Sequence, residues 1–422
     1  MPAGSTLTRS PLIALAVAVL SVGLLLCACS PAPGEDAPCP ACKNSGKVEC
    51  KIHKDYKFPT FKCSACYECP NGCWGVGWMS CPNKGCMSPN KTEVKEEFAR
   101  LSTERKSWLD SCRAAVEGKI FPPDSKLAGT RALHVETEHF RLASTMKPRS
   151  IKLNVNGLAR TFNCNSHQAV HVYARRAEDA YVSATRLLGC GDGFKPFVTD
   201  KYLLLIWQSE AEQVAASRIL CQSAQAKEAY AQGQVYTTRD PGDDNRLFHQ
   251  VVHSVAHFMG DDFGGQVLAS PAWLREAFAQ WVEYDVTGEL VISCEWNPEL
   301  TDGSPSSKLK SSLKPLVRSK SKYLTSLADY VGSKMASLTG WQRIKGIGIL
   351  DWMLEVSEKK SAGLLIAQFK KDYPAKSQED IFKAVLGMDF AQFEDKWSSW
   401  VLDAYPDFEG PTGKLTSLPE GL

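Results

Sequence analysis

The stretches RLFHQVVHSVAHFMG, residues 246–260, and PAWLREAFAQWVE, residues 271–283, decide the fold of this chain. The first spaces three histidines four positions apart, and His253 and His257 are the last two of them. Steps of four keep side chains on one face of a helix, with a drift of about 40° per step. The second stretch has helical apolar spacing and carries Glu276, with 18 residues between it and His257. Histidines at i and i+4 are a standard chelating pair for zinc, so the first helix is a candidate metal-binding helix, and Glu276 is an acidic residue near the start of the second.

This pattern resembles that of the gluzincin metallopeptidases, specifically their peptidase MA-like branch, which carries a P-x-W-L-x-E-G-x-A type of segment. The resemblance extends to three further segments, namely HVETEHFRLAS at 134–144, KPFVTDKYLLLIWQS at 195–209 and GMDFAQFEDKWSSWVL at 387–402. It therefore covers about residues 131–403. It implies a zincin-like α+β domain with a small N-terminal sheet and a mostly helical C-terminal half. It also implies that His253, His257 and Glu276 are zinc ligands.

The histidine repeat allows a second choice of ligands. In that alternative, His249 and His253 bind the metal, with 22 residues before Glu276. We prefer His253 and His257 for their spacing, and because the segment from His257 to Gly260 resembles the usual exit from this helix in the family. A further alternative retains the scaffold, with histidines that pack or form hydrogen bonds without a metal.

The chain departs from the family at the catalytic base. In H-E-x-x-H the glutamate takes a proton from water, and Ser254 stands at that position here. In the alternative choice of ligands the position is Gln250. Neither side chain is a base near pH 7, and general-base assistance is typically worth about 10²–10⁴-fold in rate. The resemblance thus implies a pseudopeptidase that keeps zinc and binds a peptide or envelope partner; the alternative is an active zinc metallopeptidase with an unusual base.

Composition narrows the class of protein. The 422 residues are 44% hydrophobic and 23% charged, which is typical of folded globular domains. The 49 Lys and Arg against 47 Asp and Glu leave a net charge of only +2, which argues against nucleic acid as a partner. Cysteine is the unusual residue, because 11 of the 16 lie in the first 86 positions.

The N-terminus predicts export. An apolar run from Leu12 to Leu26 leads into Leu26-Cys27-Ala28-Cys29, which resembles a bacterial lipobox. This predicts a signal peptide over residues 1–28, a lipid anchor on Cys29 and a tether over 29–38. The mature chain would then be extracytoplasmic and attached to a membrane of the cell envelope. The alternative is an uncleaved transmembrane helix.

Residues 39–90 form the predicted cysteine-rich module. Its cysteines occur mostly as pairs with two or three intervening residues, the spacing of zinc knuckles. Disulfides remain an alternative, since an exported chain meets an oxidising compartment. Either kind of bond makes this a stapled, zinc-ribbon-like interaction module and not a catalytic site.

The module resembles the cysteine-rich repeat of DnaJ-type chaperones, in CPACKNSGKVECKIH and CPNGCWGVGWMSCPNKGC. The resemblance implies two sites, one made of Cys39, Cys42, Cys50 and His53, and the other of Cys69, Cys73, Cys81 and Cys86. Cys63 and Cys66 are left over, as a disulfide or a replacement pair.

The remaining pattern predicts an α+β organisation. Residues 91–130 contain a linker helix over 91–117, residues 131–405 form the zincin-like domain, and residues 406–422 are a loose tail. Strands are expected at His134–Ala143 and Lys201–Gln208, with a Ser-capped helix at Ser166–Leu188. Further helices are expected at 244–259, 271–285, 322–337, 340–357, 361–372, 378–386 and 390–403. The basic stretch Lys308–Lys322 is interpreted as a solvated loop, or at most a contact with anionic surface polymers.

Overall fold

The computed structural model of the protein describes residues 39–51, 61–84, 86, 88–155, 158–190, 201–222, 229–232, 235–263, 271–291, 308–334, 339–357 and 362–407. The predicted signal peptide, Cys29 with its tether, His53 and residues 408–422 lie outside the described residues. Among the helices that are described, none combines the length and the apolar character needed to cross a bilayer.

The fold is α+β, as the sequence predicts. Its described strands are β1 (Lys47–Glu49), β2 (Lys62–Cys63), β3 (Trp78–Ser80), β4 (Leu133–Glu136), β5 (Phe140–Ser144), β6 (Arg149–Val155), β7 (Leu158–Cys164), β8 (Tyr202–Trp207), β9 (Ala229–Gln232) and β10 (Val235–Arg239). Its described helices are α1 (Ser64–Tyr67), α2 (Lys91–Ala115), α3 (Glu117–Ile120), α4 (Ser166–Leu188), α5 (Glu210–Leu220), α6 (Asp244–Asp262), α7 (Ala272–Thr287), α8 (Leu309–Arg318), α9 (Leu327–Gly332), α10 (Gly340–Glu355), α11 (Gly363–Asp372), α12 (Gln378–Leu386) and α13 (Phe390–Ala404).

A mixed six-stranded sheet organises the N-terminal half, in the order β2-β4-β5-β8-β10-β9. β8 runs parallel to both of its neighbours, and the remaining pairs are antiparallel. The side chains of β8 alternate between two cores, since Leu204 and Ile206 join the large core while Leu205 and Trp207 join a smaller one with α3 and α5. Burial on both faces explains why the strand reads as a continuous apolar run.

The predicted strand over His134–Ala143 is wrong in one respect, because it is two strands. β4 and β5 pair antiparallel, with His134 opposite Ala143. Thr137 makes the turn between them, accepting a hydrogen bond at Oγ1 from the Phe140 backbone N–H at 3.0 Å. The apolar alternation continues through this short turn, which is why the sequence pattern alone does not reveal the break.

The interpretation of Lys308–Lys322 as a solvated loop is also wrong. Helix α8 occupies most of it, and Leu309, Leu313 and Leu316 are buried at helical spacing. Lys314 is buried as well and donates from Nζ to the Tyr405 carbonyl oxygen at 2.8 Å. The lysines between these leucines dominate the composition of the stretch and conceal its apolar face.

The other predicted helices are present, with modest changes at their ends. α4 has the predicted bounds, but its cap is Asn165 instead of Ser166 and forms a capping box with Gln168. The helix expected over 322–337 is shorter, because α9 covers only Leu327–Gly332. Helix α5 and the β6–β7 hairpin were not predicted.

Helices α6 and α7 carry the predicted metal ligands and pack within the large core. α6 packs against α4 on one side and α7 on another, and α10 packs against α7. The Asp243 carboxylate caps α6, accepting from the Arg246 backbone N–H at 2.7 Å. Gly260 of α6 lies against Phe278 of α7, where an added Cβ would come within 3.2 Å of the ring. This close approach brings the two helices to the separation that a shared metal site requires.

The cysteine-rich segment is divided between two structures. β1 and β3 form a small two-stranded antiparallel sheet in which Lys47 lies opposite Ser80. β2, by contrast, is an edge strand of the main sheet, and Cys63 pairs there with Val135 of β4. The segment is therefore built into the larger fold by its middle part.

Candidate metal centre

Helix α6 presents the three histidines on one face, as their spacing predicts. His249 and His253 are buried, and the His257 side chain is 15% exposed. His253 Nε2 and His257 Nε2 lie 3.2 Å apart. Two nitrogen ligands of a tetrahedral zinc ion, each about 2.05 Å from it, would lie about 3.3 Å apart.

Helix α7 supplies the carboxylate. Glu276 Oε2 lies 3.6 Å from His253 Nε2 and 3.7 Å from His257 Nε2, in a side chain that is 1% exposed. The three ligand atoms are all within 4.8 Å of one another and could hold a metal ion. They account for three of four tetrahedral positions, which is the arrangement that leaves one position for water or substrate.

Glu283, two turns further along α7, holds the imidazoles from behind. Its Oε1 accepts a hydrogen bond from His249 Nδ1 at 2.7 Å, and its Oε2 accepts one from His253 Nδ1 at 2.8 Å. The second bond places a proton on His253 Nδ1, so Nε2 is the nitrogen that would bind a metal ion, after losing any proton it carries, as in carboxylate–histidine–metal arrangements. His249 is directed at Glu283 and is not part of the group formed with Glu276.

Both carboxylates are ionised. Burial alone would raise the pKa of Glu276, but the charge and hydrogen bonds of His253 and His257 hold it well below the usual value. Burial likewise opposes ionisation of Glu283, and hydrogen bonds from His249 and His253 lower its pKa. An anionic Glu276 is a suitable ligand for a cation.

The remaining oxygen of Glu276 is fixed by the protein. Oε1 accepts hydrogen bonds from Gln280 Nε2 at 3.0 Å and from Arg343 Nη1 of α10 at 3.2 Å. The carboxylate is therefore held by Oε1 and offers Oε2 to the histidines. Arg343 and Glu283 were not predicted. Glu283 has a signal in the sequence, since seven residues after Glu276 is close to two helical turns on the same face.

Position 254, to which the gluzincin resemblance assigns the general base, holds no carboxylate. Ser254 is half-buried on α6, directly after His253. The acids that follow are engaged elsewhere, because Asp261 pairs with Arg275 at 2.8 and 2.9 Å and Asp262 accepts from Tyr202 Oη at 2.9 Å. Among the described residues that adjoin the site, the chain presents metal-binding groups without the residue that normally activates water.

A small cleft opens beside His257. Its walls are formed by Ala256 and Gly260 of α6 and by Leu274, Arg275 and Phe278 of α7. His257, which is more exposed than the other two ligands, connects this cleft to the donor group. The guanidinium of Arg275 is already paired there with the Asp261 carboxylate, which also lines the cleft.

The cysteine-rich segment contains two thiol clusters. Cys39, Cys42, Cys81 and Cys86 form the first, and Cys50, Cys69 and Cys73 form the second. This differs from the grouping that the chaperone resemblance implied, in which the first two knuckles shared a site. The physical reason is the β1–β3 sheet, because the pairing of these strands brings the start of the segment next to its end. The sheet thus joins knuckles that are distant in sequence.

No disulfide joins the thiols of these two clusters. The Cys39–Cys81, Cys42–Cys86 and Cys50–Cys69 sulfurs are 3.8, 3.5 and 3.7 Å apart. A disulfide requires about 2.05 Å, whereas two thiolates on one tetrahedral zinc lie about 3.8 Å apart. These clusters could hold a metal ion, and their sulfur ligands fit zinc.

No protein-family model matches the chain, and no curated protein shows a significant match to it.

Proposed function

We propose that this chain is a zinc-binding pseudopeptidase of zincin type. The observation that carries the proposal is the convergence of His253, His257 and Glu276 beside a serine at position 254. The three ligands hold the ion, Glu283 orients His253, and Arg343 fixes Glu276. Zinc, when bound, supplies Lewis-acid polarisation of a carbonyl oxygen. Among the described residues that adjoin these ligands, no side chain supplies the general base that would turn this polarisation into fast hydrolysis.

The proposed role is binding. A peptide or envelope partner would approach from the side of His257, the most exposed of the three ligands, with a carbonyl group near the metal. The cysteine-rich segment would supply a second contact surface. An active metallopeptidase is the second candidate, and the complete ligand set together with Glu283 favours it.

The test combines metal content with peptide cleavage. We expect purified protein to contain zinc at the His253–His257–Glu276 site, His257→Ala to lose it, and wild type not to cleave a mixed peptide library. Ser254→Glu restores a base at the family position and should create cleavage that a chelator abolishes. Gln250→Glu, which adds the same charge one turn earlier on α6, is the matched control and should remain inactive.

Two results would contradict the proposal. Chelator-sensitive cleavage by wild type that His257→Ala removes would identify an active peptidase. Zinc content that is the same in wild type and His257→Ala would show that this group holds no metal.

The proposal also places the protein in the cell envelope as a lipoprotein. Its basis is the run Leu26-Cys27-Ala28-Cys29, which lies outside the described residues. Mass spectrometry of the N-terminal peptide from cells should show acyl chains on Cys29 and no residues before it. Cys27→Ala should leave this modification unchanged, whereas Cys29→Ala should abolish it. Retention of residues 1–28 in the mature protein would contradict the assignment.

A further inference from the structure

Cys63 and Cys66 lie apart from both thiol clusters, at the edge of the main sheet. Cys63 ends β2 and pairs with Val135 of β4, so its backbone is fixed by the sheet. The short helix α1 follows, and the Ser64 hydroxyl oxygen accepts a hydrogen bond from the His134 backbone N–H at 2.9 Å. The Cys-x2-Cys pair is thereby held on the large domain and not on the β1–β3 sheet.

Helix α4 directs two histidines at these thiols. His167 and His171 are one turn apart in its first two turns, which the Asn165 capping box defines. His167 Nε2 lies 3.2 Å from Cys66 Sγ and 3.1 Å from His171 Nε2. The ligand atoms of Cys63, Cys66, His167 and His171 all lie within 4.8 Å of one another.

We propose that Cys63, Cys66, His167 and His171 form a structural zinc site that fastens the cysteine-rich segment to the zincin-like body. Sulfur and nitrogen ligands of one tetrahedral zinc would lie about 3.6 Å apart, and two nitrogens about 3.3 Å apart. The Cys66–His167 and His167–His171 distances differ from these values by a few tenths of an ångström. Two sulfurs and two nitrogens complete the coordination and leave no open position, which is typical of a structural site.

The surroundings agree with a closed site. Cys63 is fully buried, and Cys66 and His171 are 8% and 1% exposed. Phe61 stacks on the His171 ring at 5.9 Å between centroids, which limits rotation of the imidazole. The two cysteines are free thiols, so the disulfide that their spacing allowed is not formed.

The site would connect parts of the chain that are far apart in sequence. Cys66 and His167 are separated by 101 positions, and β2 has only two residues to hold it in the sheet. A two-residue edge strand contributes few ladder hydrogen bonds, so a shared metal ion would add to the Lys62–Glu136 ion pair and the Ser64–His134 hydrogen bond that hold this part of the segment. This role is independent of the His253–Glu276 centre and of any activity there.

The test measures zinc per chain in the full-length protein. We expect Cys66→Ser and His167→Gln each to lower the zinc content by about one ion per chain. Cys164→Ser removes a buried thiol outside the clusters, and His139→Gln removes a half-buried imidazole bonded to Glu178. Both controls should retain the wild-type content. An unchanged zinc content in the ligand variants would overturn the proposal.

A second measurement does not depend on the variants folding. In wild type, Cys63 and Cys66 should resist alkylation until a chelator is added, and then react together. Substitution of cobalt for zinc should give sulfur-to-cobalt charge-transfer absorption that weakens in Cys66→Ser. Rapid alkylation of both thiols before chelation, or a Cys63–Cys66 disulfide found by mass spectrometry, would overturn the proposal.

Discussion

The carboxylate of Glu283 accepts a hydrogen bond at Oε2 from Nδ1 of His253, 2.8 Å away, and the Glu283 side chain is completely buried. The other oxygen of the same carboxylate holds His249. One acid therefore fixes the tautomer and the ring orientation of a metal ligand while it also stabilises its neighbour one turn earlier.

Glu283→Gln should weaken zinc binding at the His253–Glu276 centre. The glutamine oxygen can still accept one hydrogen bond, but the NH₂ group is a donor and would face the second imidazole N–H. The negative charge of the carboxylate is also lost. Loss of such an outer-shell carboxylate typically lowers metal affinity about 10–100-fold. Competition with a chromophoric chelator measures the change. Asp285→Asn is the matched control, because Asp285 lies on the same helix and contacts Ser183 and Arg186 instead. Equal affinities in the two variants would contradict the role of Glu283.

The grouping of the knuckles predicts which cysteine substitutions are additive. Cys42 and Cys86 share a cluster, so Cys42→Ser, Cys86→Ser and the double variant should all lose the same ion, about one per chain. Cys50 belongs to the other cluster, and Cys42→Ser combined with Cys50→Ser should lose about two. Metal analysis of purified variants measures these losses. If the Cys42–Cys50 pair were the non-additive one, the grouping implied by the chaperone resemblance would be restored.

Gly346→Ala should destabilise the contact of α10 with α7. A Cβ at Gly346 would collide with the Tyr330 hydroxyl and lie 2.9 Å from Ala277 Cβ. Overpacking of this kind typically costs about 1–3 kcal/mol, seen as a lower Tm. Gly332→Ala is the control, since no atom lies within 4 Å of an added Cβ there. In the Gly346→Ala background, Tyr330→Phe should recover part of the lost stability. A Gly346→Ala variant with the Tm of wild type would contradict the packing argument.

Glu136 should make stability depend on pH in the acid range. Burial opposes its ionisation, but hydrogen bonds from Trp108, Lys62 and Lys201 hold its pKa at about 2. Because the pKa is lowered in the folded state, the stabilisation is present above about pH 4.3 and is lost as the pH falls towards 2. The contribution at neutral pH is on the order of 2 kcal/mol.

Denaturant unfolding of Glu136→Gln across pH 2–6 tests this prediction. The difference in unfolding free energy from wild type should be largest near pH 6 and should shrink as the pH falls. Glu138→Gln, in an exposed position two residues further on, is the control and should follow the wild-type curve. A constant difference over the whole pH range would show that Glu136 acts through packing and not through its charge.

The helices that hold the proposed active-site ligands could be predicted because their signals are local. The apolar spacing of α6 and α7 and the steps of four between histidines determine which side chains share a face, and His253, His257 and Glu276 do converge. Glu283 was missed although its spacing of seven from Glu276 puts both on one face, because that spacing does not distinguish a buried carboxylate from a solvated one.

The contacts that sequence reasoning missed depend on chain segments meeting at long range. His167 and His171 are spaced as a metal-binding pair, yet nothing near them in sequence supplies the other ligands, which lie about a hundred residues earlier. The grouping of the cysteines likewise depends on the pairing of β1 with β3. Two further features have local signals that the sequence pattern concealed. The apolar alternation continues through the break between β4 and β5, and the lysine-rich composition of α8 conceals its apolar face.

The place of β2 in the main sheet affects how the protein can be divided. Its pairing covers the outer edge of β4, so a chain shortened to residues 131–405 would present unpaired N–H and C=O groups along β4. Bare edges of this kind recruit strands from other molecules, and such a fragment should self-associate. The smallest soluble unit is therefore expected to begin before Phe61, upstream of the boundary that the catalytic-type motif alone would suggest.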